Sequence, residues 1–151
     1  MDGRNTFYIT VLYKEFLSYT EKALKGKGLT YGQLPFILYI GKHEMCPPAA
    51  LKNDLKLDWG HVQRSLTKLE KDGFIYKVES KGKKYSYFLM LTKQGLESYD
   101  MCHDLFYFWD AEMKQSMSNE EWDSFGNTLE KAFRETNGKY SKRSVKKWNI
   151  R

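Results

Sequence analysis

The sequence predicts a mainly α-helical protein with one small β-hairpin, which places it in the α+β class. Apolar residues recur at helical spacing over most of the 151 residues, and the period changes to two only between residues 74 and 91. Glycines and prolines interrupt the helical segments at short intervals. Hydrophobic residues make up 41% of the chain and charged residues 29%, which is typical of a globular protein.

The first half of the chain predicts four helices separated by helix breakers. Proline cannot continue a helix, so Pro47 and Pro48 separate the second helix from the third. Asp58 is a suitable N-cap for the fourth helix, because its carboxylate can accept hydrogen bonds from the free amides of the first turn. Gly73 stands just past the end of that helix, where a left-handed residue is preferred. The predicted helices cover residues 6–24, 49–55 and 59–71, and the second helix is predicted to follow a cap at Thr30 and to close at Gly41.

The change of period predicts a hairpin, which we call the wing. Its turn contains Gly82 and several lysines. Helical spacing then returns for a long fifth helix, and the sequence from Ser118 to Glu121 is a capping box that opens a sixth. The strands are predicted over residues 74–79 and 85–91, and the two helices over residues 93–117 and 118–136.

Three helices followed by a basic hairpin form the pattern of a winged helix-turn-helix. A helix fits the major groove of DNA, where arginine suits guanine and glutamine suits adenine. The fourth helix carries an arginine and a glutamine on the face opposite its apolar positions. The alternative interpretation is that this face is only solvent-exposed surface with no DNA contact. The predicted base contacts are His61, Gln63, Arg64 and Thr67, and the predicted DNA-backbone contacts are Lys52, Lys68, Lys77, Lys81, Lys83 and Lys84.

Two other side chains of this region have no settled role in the sequence. Trp59, at the start of the fourth helix, either packs on a sugar or a thymine methyl group or only fixes the preceding turn. Lys71, at the end of the same helix, is compatible with plain surface.

Charge is distributed unevenly along the chain, whose net charge is +6. Residues 46–95 carry net +5, residues 96–136 net −7 and residues 137–151 net +6. A basic middle and a basic tail favour a face that binds a polyanion. Chance clustering on a solvated surface explains the charge alone equally well.

Several stretches resemble the MarR family of transcriptional regulators. No single stretch is unique to that family, but their order and spacing are specific. The match covers roughly residues 29–96, and the flanking helices agree in order and length only. The matching stretches are LTYGQLPF at 29–36, the leucines Leu51, Leu55 and Leu57, LTKLEKDGFI at 66–75 and LTKQG at 91–95.

The resemblance implies a homodimer that binds double-stranded DNA, acts in a repressor-like way and responds to a small aromatic or phenolic effector. We expect the protein to be cytoplasmic, because the sequence predicts neither a signal peptide nor a membrane span. The sequence itself predicts one domain over residues 1–136 with a basic tail over 137–151, because no internal repeat, linker or low-complexity tract divides it. Within that domain, residues 1–28 and 93–136 would form dimerisation helices, and residues 29–92 the DNA-binding lobe. The side chains that could line the effector pocket are Tyr13, Phe16, Tyr39, Tyr99 and His103.

The wing departs from the family pattern. MarR-type regulators usually carry Asp-x-Arg there, and this chain has Lys83, Lys84 and Tyr85 at the corresponding positions. Lysine neutralises phosphate but lacks the planar fork of arginine. We therefore expect this wing to contribute mainly nonspecific affinity, and a winged-helix interaction module without specific DNA binding is the alternative function.

The aromatic content of 16% favours a partner surface. The four consecutive rings from Phe106 to Trp109 cannot all face one side of a helix, which favours the dimer over a monomer core.

The sequence gives little support to an enzymatic function, and we predict no catalytic residue, cofactor or metal. The sequence has no phosphate-binding glycine motif, no signal peptide is expected, and no apolar run reaches the length of a membrane span. A metal sensor that uses His43, Cys46, Cys102 and His103, or a redox sensor that uses Cys46, is a weaker alternative.

Overall fold

The computed structural model describes residues 3–82 and 86–136. This part of the chain contains six helices and one antiparallel hairpin. None of its helices is long and apolar enough to cross a membrane. The helices are α1 Arg4–Leu24, α2 Leu34–Lys42, α3 Pro48–Asp54, α4 Trp59–Lys71, α5 Lys93–Lys114 and α6 Asn119–Thr136, and the strands are β1 Ile75–Glu79 and β2 Tyr87–Leu91.

The mainly helical class and the wing are confirmed, and α4 has the predicted bounds. In the wing, Ile75 pairs with Leu91 and Glu79 with Tyr87. Cys46, ahead of the proline pair, adds an isolated bridge to this hairpin through the bond from its N–H to the Leu89 carbonyl, 3.3 Å. That bridge was not predicted, because a single residue carries no strand periodicity.

The second helix begins later than the sequence predicted. Residues Tyr31–Gln33 form a 3-10 turn, in which the side-chain oxygen of Gln33 accepts from the Thr30 N–H at 2.9 Å, and α2 starts only at Leu34. Pro35 explains the shift. It has no N–H to donate, so it is tolerated in the first turn of a helix but not one turn further in.

The fifth helix ends at Lys114, three residues before the predicted end. The Met117 N–H bonds the Lys114 carbonyl at 2.9 Å, which tightens the chain into a turn ahead of α6. The predicted capping box is confirmed: the Ser118 N–H donates to Glu121 Oε2 at 2.8 Å, and the Glu121 N–H donates to Ser118 Oγ at 3.2 Å.

A hydrophobic core lies between α2, α3, α4 and the wing. Its largest fully buried side chains include Phe36, Leu51, Leu66, Phe74 and Leu89. Apolar positions of α4 at i, i+4 and i+7 therefore bury one face of the helix and leave the opposite face in solvent.

The LTKQG motif joins the wing to α5 by close backbone packing. Thr92 Oγ1 donates to the Gly73 carbonyl at 2.6 Å and accepts from the Gly95 N–H at 3.0 Å. A Cβ on Gly95 would lie 2.0 Å from the Phe74 carbonyl oxygen, which is backbone. Only glycine fits at this crossing.

A second close approach joins α2 to α5. A Cβ on Gly41 would lie 2.1 Å from Cδ2 of Tyr99, so the ring of Tyr99 occupies the space that a side chain at position 41 would need. The ring is half-buried.

The described residues divide into two compact units, before and after the boundary between Trp109 and Asp110, which falls within α5. In the first unit, the opening turns of α1 are exposed on every side, including Phe7, Ile9 and Leu12. In the second, none of the described residues of α6 is buried, and Phe133 is 61% exposed.

Candidate nucleic-acid interface

The turn between α3 and α4 positions the exposed face of α4. Lys56 closes this turn in a left-handed backbone conformation with φ 55°. Asp58 then caps α4 as predicted, because its Oδ1 accepts from the His61 N–H at 2.9 Å.

The outward face of α4 forms an open depression of about 500 Å³, which we call the α4 depression. It brings together three of the four predicted base contacts. It also includes Lys71 and Asp72, which had no predicted DNA role. Lys71 follows Thr67 by one helical turn, and this spacing alone places it on the same face. The lining residues are Gln63, Arg64, Thr67, Lys68, Lys71 and Asp72.

The guanidinium of Arg64 lies over the first turn of α4. Its Nη1 would be 3.1 Å from a Cβ on Gly60, and the space it occupies is open because position 60 has no side chain. The donors of Arg64 are therefore held close to the N-terminal end of the helix, which is the part of a recognition helix that contacts base edges.

His61 lies to the side of the α4 depression. Its half-buried ring stacks on the buried ring of Phe36, with centroids 5.8 Å apart and an angle of 10° between the planes. The stack gives His61 a packing role, and a base contact stays a prediction. The sequence could not reveal this contact because the two residues are 25 positions apart.

Two of the lysines predicted to bind phosphate are paired with acids. Lys68 Nζ lies 2.7 Å from Asp72 Oδ2, and Lys77 Nζ lies 2.7 Å from Glu70 Oε2. The hydrogen bond to Glu70 raises the pKa of Lys77. A phosphate would have to compete with these carboxylates.

The other two predicted phosphate contacts within the described residues differ in their exposure. Lys81 is exposed in the turn of the wing. Lys52 is half-buried, and its Nζ lies 5.9 Å above the ring of Trp59 and donates to Asn53 Oδ1 at 3.4 Å. The predicted contacts at Lys83 and Lys84 lie outside the described residues.

The five side chains predicted for an effector pocket fall into three groups of ring contacts. Tyr13 and Phe16 both meet Tyr31, at 6.3 and 6.1 Å between centroids. Tyr99 lies 6.4 Å from His103. Tyr39 stacks on His43 instead, at 4.1 Å.

Tyr39 also links α2 to α3. Its hydroxyl donates to Asp54 Oδ2 at 2.7 Å, and this bond to a carboxylate is the main reason that the pKa of Tyr39 rises to about 12. The link joins two of the helices that surround the hydrophobic core together with α4.

Neither cysteine has the surroundings of a reactive thiol. Both are buried, and burial raises the pKa of each to about 11. Oxidation proceeds through the thiolate, which is scarce at neutral pH when the pKa is this high. Within the described ranges, no three histidine, cysteine or acidic side chains are grouped so that they could hold a metal ion.

Comparison with known proteins supports a regulatory role. No protein-family model matches the chain. It is 30% identical over 131 residues to the HTH-type transcriptional regulator BilQ of Clostridium symbiosum, and the match covers 87% of this chain and 91% of that protein.

The fold is also found in solved structures. Streptococcus pneumoniae FabT in complex with DNA matches with a TM-score of 0.81 and 26% identity, over 89% of this chain and 96% of that chain. A MarR protein from Peptoclostridium difficile also has a TM-score of 0.81, with 24% identity over 90% of this chain and 89% of the other.

Proposed function

Because this chain belongs to the MarR family of winged helix-turn-helix transcriptional regulators, we propose that it acts as a homodimer that binds a palindromic DNA site through α4. Members of this family are regulators, and the chain is not an enzyme. The α4 depression is the observation on which the proposal rests. It gathers a glutamine, an arginine and a threonine on one solvent-exposed face of a capped helix.

The similar regulator FabT is seen in complex with DNA, which supports the same partner for this chain. Arg64 can donate two hydrogen bonds to a guanine, and Gln63 can bond an adenine in both directions. Lys52 and Lys81 lie outside the depression and are suited to the phosphates on either side.

A second copy of this chain accounts for the exposed apolar surface of α1. Phe7, Ile9 and Leu12 are 63%, 57% and 39% exposed and point in different directions around the helix. A helix that is apolar all round is normally buried. We therefore propose that this surface is covered by α1, α5 and α6 of the partner copy.

The proposal includes regulation by a small aromatic or phenolic molecule. Half-buried aromatic side chains of α1, α2 and α5 offer ring faces and hydroxyl groups suited to such a compound. An effector that binds better to one spacing of the two DNA-binding lobes would change the affinity for DNA, because it shifts the population between the two spacings.

Selection of tight-binding sites from random duplex DNA, at two salt concentrations, tests this function. We expect a palindrome whose half-sites are about one helical turn apart. Binding that is independent of sequence and disappears at high salt would contradict base reading by α4. If no DNA binds, the selection is repeated after the protein has been denatured and refolded without small molecules. Binding that appears only then identifies a retained effector, and continued absence favours the interaction module.

A further inference from the structure

Trp59 is an exposed aromatic side chain at the first position of α4 that the fold does not require there. Its side chain is 45% exposed. The residues that fix the entry of a chain into a helix are normally those before the cap and at the fourth helical position. Here these are Leu57, which is partly buried against the hydrophobic core, and Val62, which lies within it. The interpretation of Trp59 as a residue that only fixes the turn is therefore not needed.

The surroundings of Trp59 fit the wall of the DNA major groove. The residue projects from the N-terminal end of α4, and Lys52 of α3 holds its ammonium 5.9 Å above the ring. A lysine in this position can reach a phosphate, which places the indole beside the DNA backbone. The C5-methyl group of thymine is the apolar group of the major groove, and it lies near the backbone of its own strand.

We propose that Trp59 is a specificity residue whose indole packs on the C5-methyl group of one thymine in each half-site, while Lys52 binds the neighbouring phosphate. This inference rests on the proposed binding of DNA by α4. Burial of a ring that is partly exposed in the free protein gains affinity. The gain is selective for thymine because cytosine lacks the methyl group at this edge.

Replacement of thymine by deoxyuridine tests the contact, because it removes the methyl group and leaves base pairing unchanged. In the selected palindrome, each thymine is replaced in turn in both half-sites, and binding is measured for the wild type and for Trp59→Ala, Trp59→Phe and Arg64→Ala. We expect one position at which the replacement weakens wild-type binding about fourfold per methyl group, the factor that burial of one such group is worth. Trp59→Ala should abolish the sensitivity at this position, and Trp59→Phe should keep part of it.

The Arg64→Ala variant is the matched control. It should lose discrimination at a different base pair and keep the wild-type sensitivity to deoxyuridine. The thermal unfolding temperature of Trp59→Ala should stay close to that of the wild type because the ring is half-exposed. If the alanine variant does not fold, Trp59→Phe, which keeps an aromatic ring, takes its place in the test.

Two results would overturn the inference, and they are distinguishable from failure of the proposed function. One is that Trp59→Ala loses affinity at every deoxyuridine replacement that weakens the binding of the wild type. The other is that Trp59→Ala weakens binding to all DNA sites by the same factor, which would show that Trp59 contacts the sugar-phosphate backbone. Absence of any selected sequence after refolding would overturn the proposed function and this inference together.

Discussion

Arg64 is the side chain of the α4 depression with the greatest capacity to specify a base. Its guanidinium carries five donors and lies over the first turn of α4, in space left open by Gly60. The neighbouring Lys68 is already paired with Asp72. Specificity should therefore depend on Arg64 more than on the other cations of this helix.

Substitution of Arg64 by alanine should weaken binding to the selected palindrome by about 1–3 kcal/mol and relax the preference at one base pair. The reason is that two hydrogen bonds to a guanine edge are lost and the base is left without its partner. Competition titrations with single-base variants of the site measure both effects. Lys25→Ala, which removes a positive charge at the end of α1, is the control. Equal losses on specific and random DNA would show that Arg64 contacts the backbone only.

The two buried thiols provide a test of the redox alternative. At neutral pH neither Cys46 nor Cys102 should react with a thiol reagent in the folded protein, because burial raises both pKa values to about 11. Both should react once the protein is unfolded. Rapid labelling of Cys46 in the folded state would restore a redox sensor as a candidate.

The same pKa shifts predict a dependence of stability on pH. Above pH 9, the ordinary pKa of these thiols, the unfolded chain releases protons that the folded chain retains. Their contribution to the free energy of unfolding is therefore complete below pH 9 and decreases as the pH rises toward 11. Comparison with the variant Cys46→Ala/Cys102→Ala isolates this decrease from the titration of other groups.

Contacts between individual side chains of different helices and strands were the least predictable feature of the sequence. The exposed face of α4 followed from the spacing of its apolar residues, and Gln63, Arg64 and Thr67 do lie together. The stack of His61 on Phe36 and the pair of Lys77 with Glu70 depend on how separate elements pack. Periodicity describes one element at a time and contains no information on such pairs.

At the scale of elements, the junction from the wing to α5 depends on the absence of a side chain at Gly95. Gly95→Ala should destabilise the protein by about 3 kcal/mol or more, because the added Cβ would lie 2.0 Å from the Phe74 carbonyl oxygen and the backbone would have to move. Thermal unfolding measures the loss.

Gly126→Ala is the matched control for this prediction. A Cβ on Gly126, in the interior of α6, would meet no atom within 4 Å. Alanine is the better helix former, so this variant should be more stable by up to about 1 kcal/mol. Similar stabilities for the two variants would show that the crossing at Gly95 tolerates a side chain.

The wing should contribute to affinity through charge. Lys81→Ala should weaken binding to all duplexes and flatten the plot of log K against log salt by about one unit per wing, because one phosphate contact is lost. Lys77→Ala removes the same charge from β1, but Lys77 is already paired with Glu70, and the slope should change little. An unchanged slope for Lys81→Ala would remove the turn of the wing from the interface.

For the whole molecule, the proposed homodimer rests on the apolar surface that the single chain leaves exposed on α1. The variant Ile9→Asp/Leu12→Asp should raise the dissociation constant of the dimer by at least on the order of a thousandfold, since each buried aliphatic side chain contributes about 2 kcal/mol. Both side chains are exposed in the single chain, so the fold should survive. Sedimentation and thermal unfolding measure the two effects.

Glu15→Ala, one turn further along α1, is the control and should leave the dimer intact. A variant with Ile9 and Leu12 replaced that sediments as a dimer would contradict the proposed role of α1. A monomeric wild type at micromolar concentration would contradict the homodimer itself.

The order of elements was the most predictable property of the molecule. Each boundary depends on local chemistry, such as the proline pair before α3, the carboxylate of Asp58 and the capping box before α6. The predicted start of α2 was wrong because Pro35 has no N–H to donate and therefore lies in the first turn of the helix, a constraint that helical spacing does not contain.

The contact between Gly41 and Tyr99 also constrains how this sequence can change over evolutionary time. The ring of Tyr99 fills the volume that any larger residue at position 41 would need. A side chain can therefore be accepted at position 41 only after the residue at position 99 has become smaller, because the reverse order passes through an intermediate in which the new side chain clashes with the ring of Tyr99. Among homologous sequences the two positions should covary, and drift at either one should be slow until both have changed.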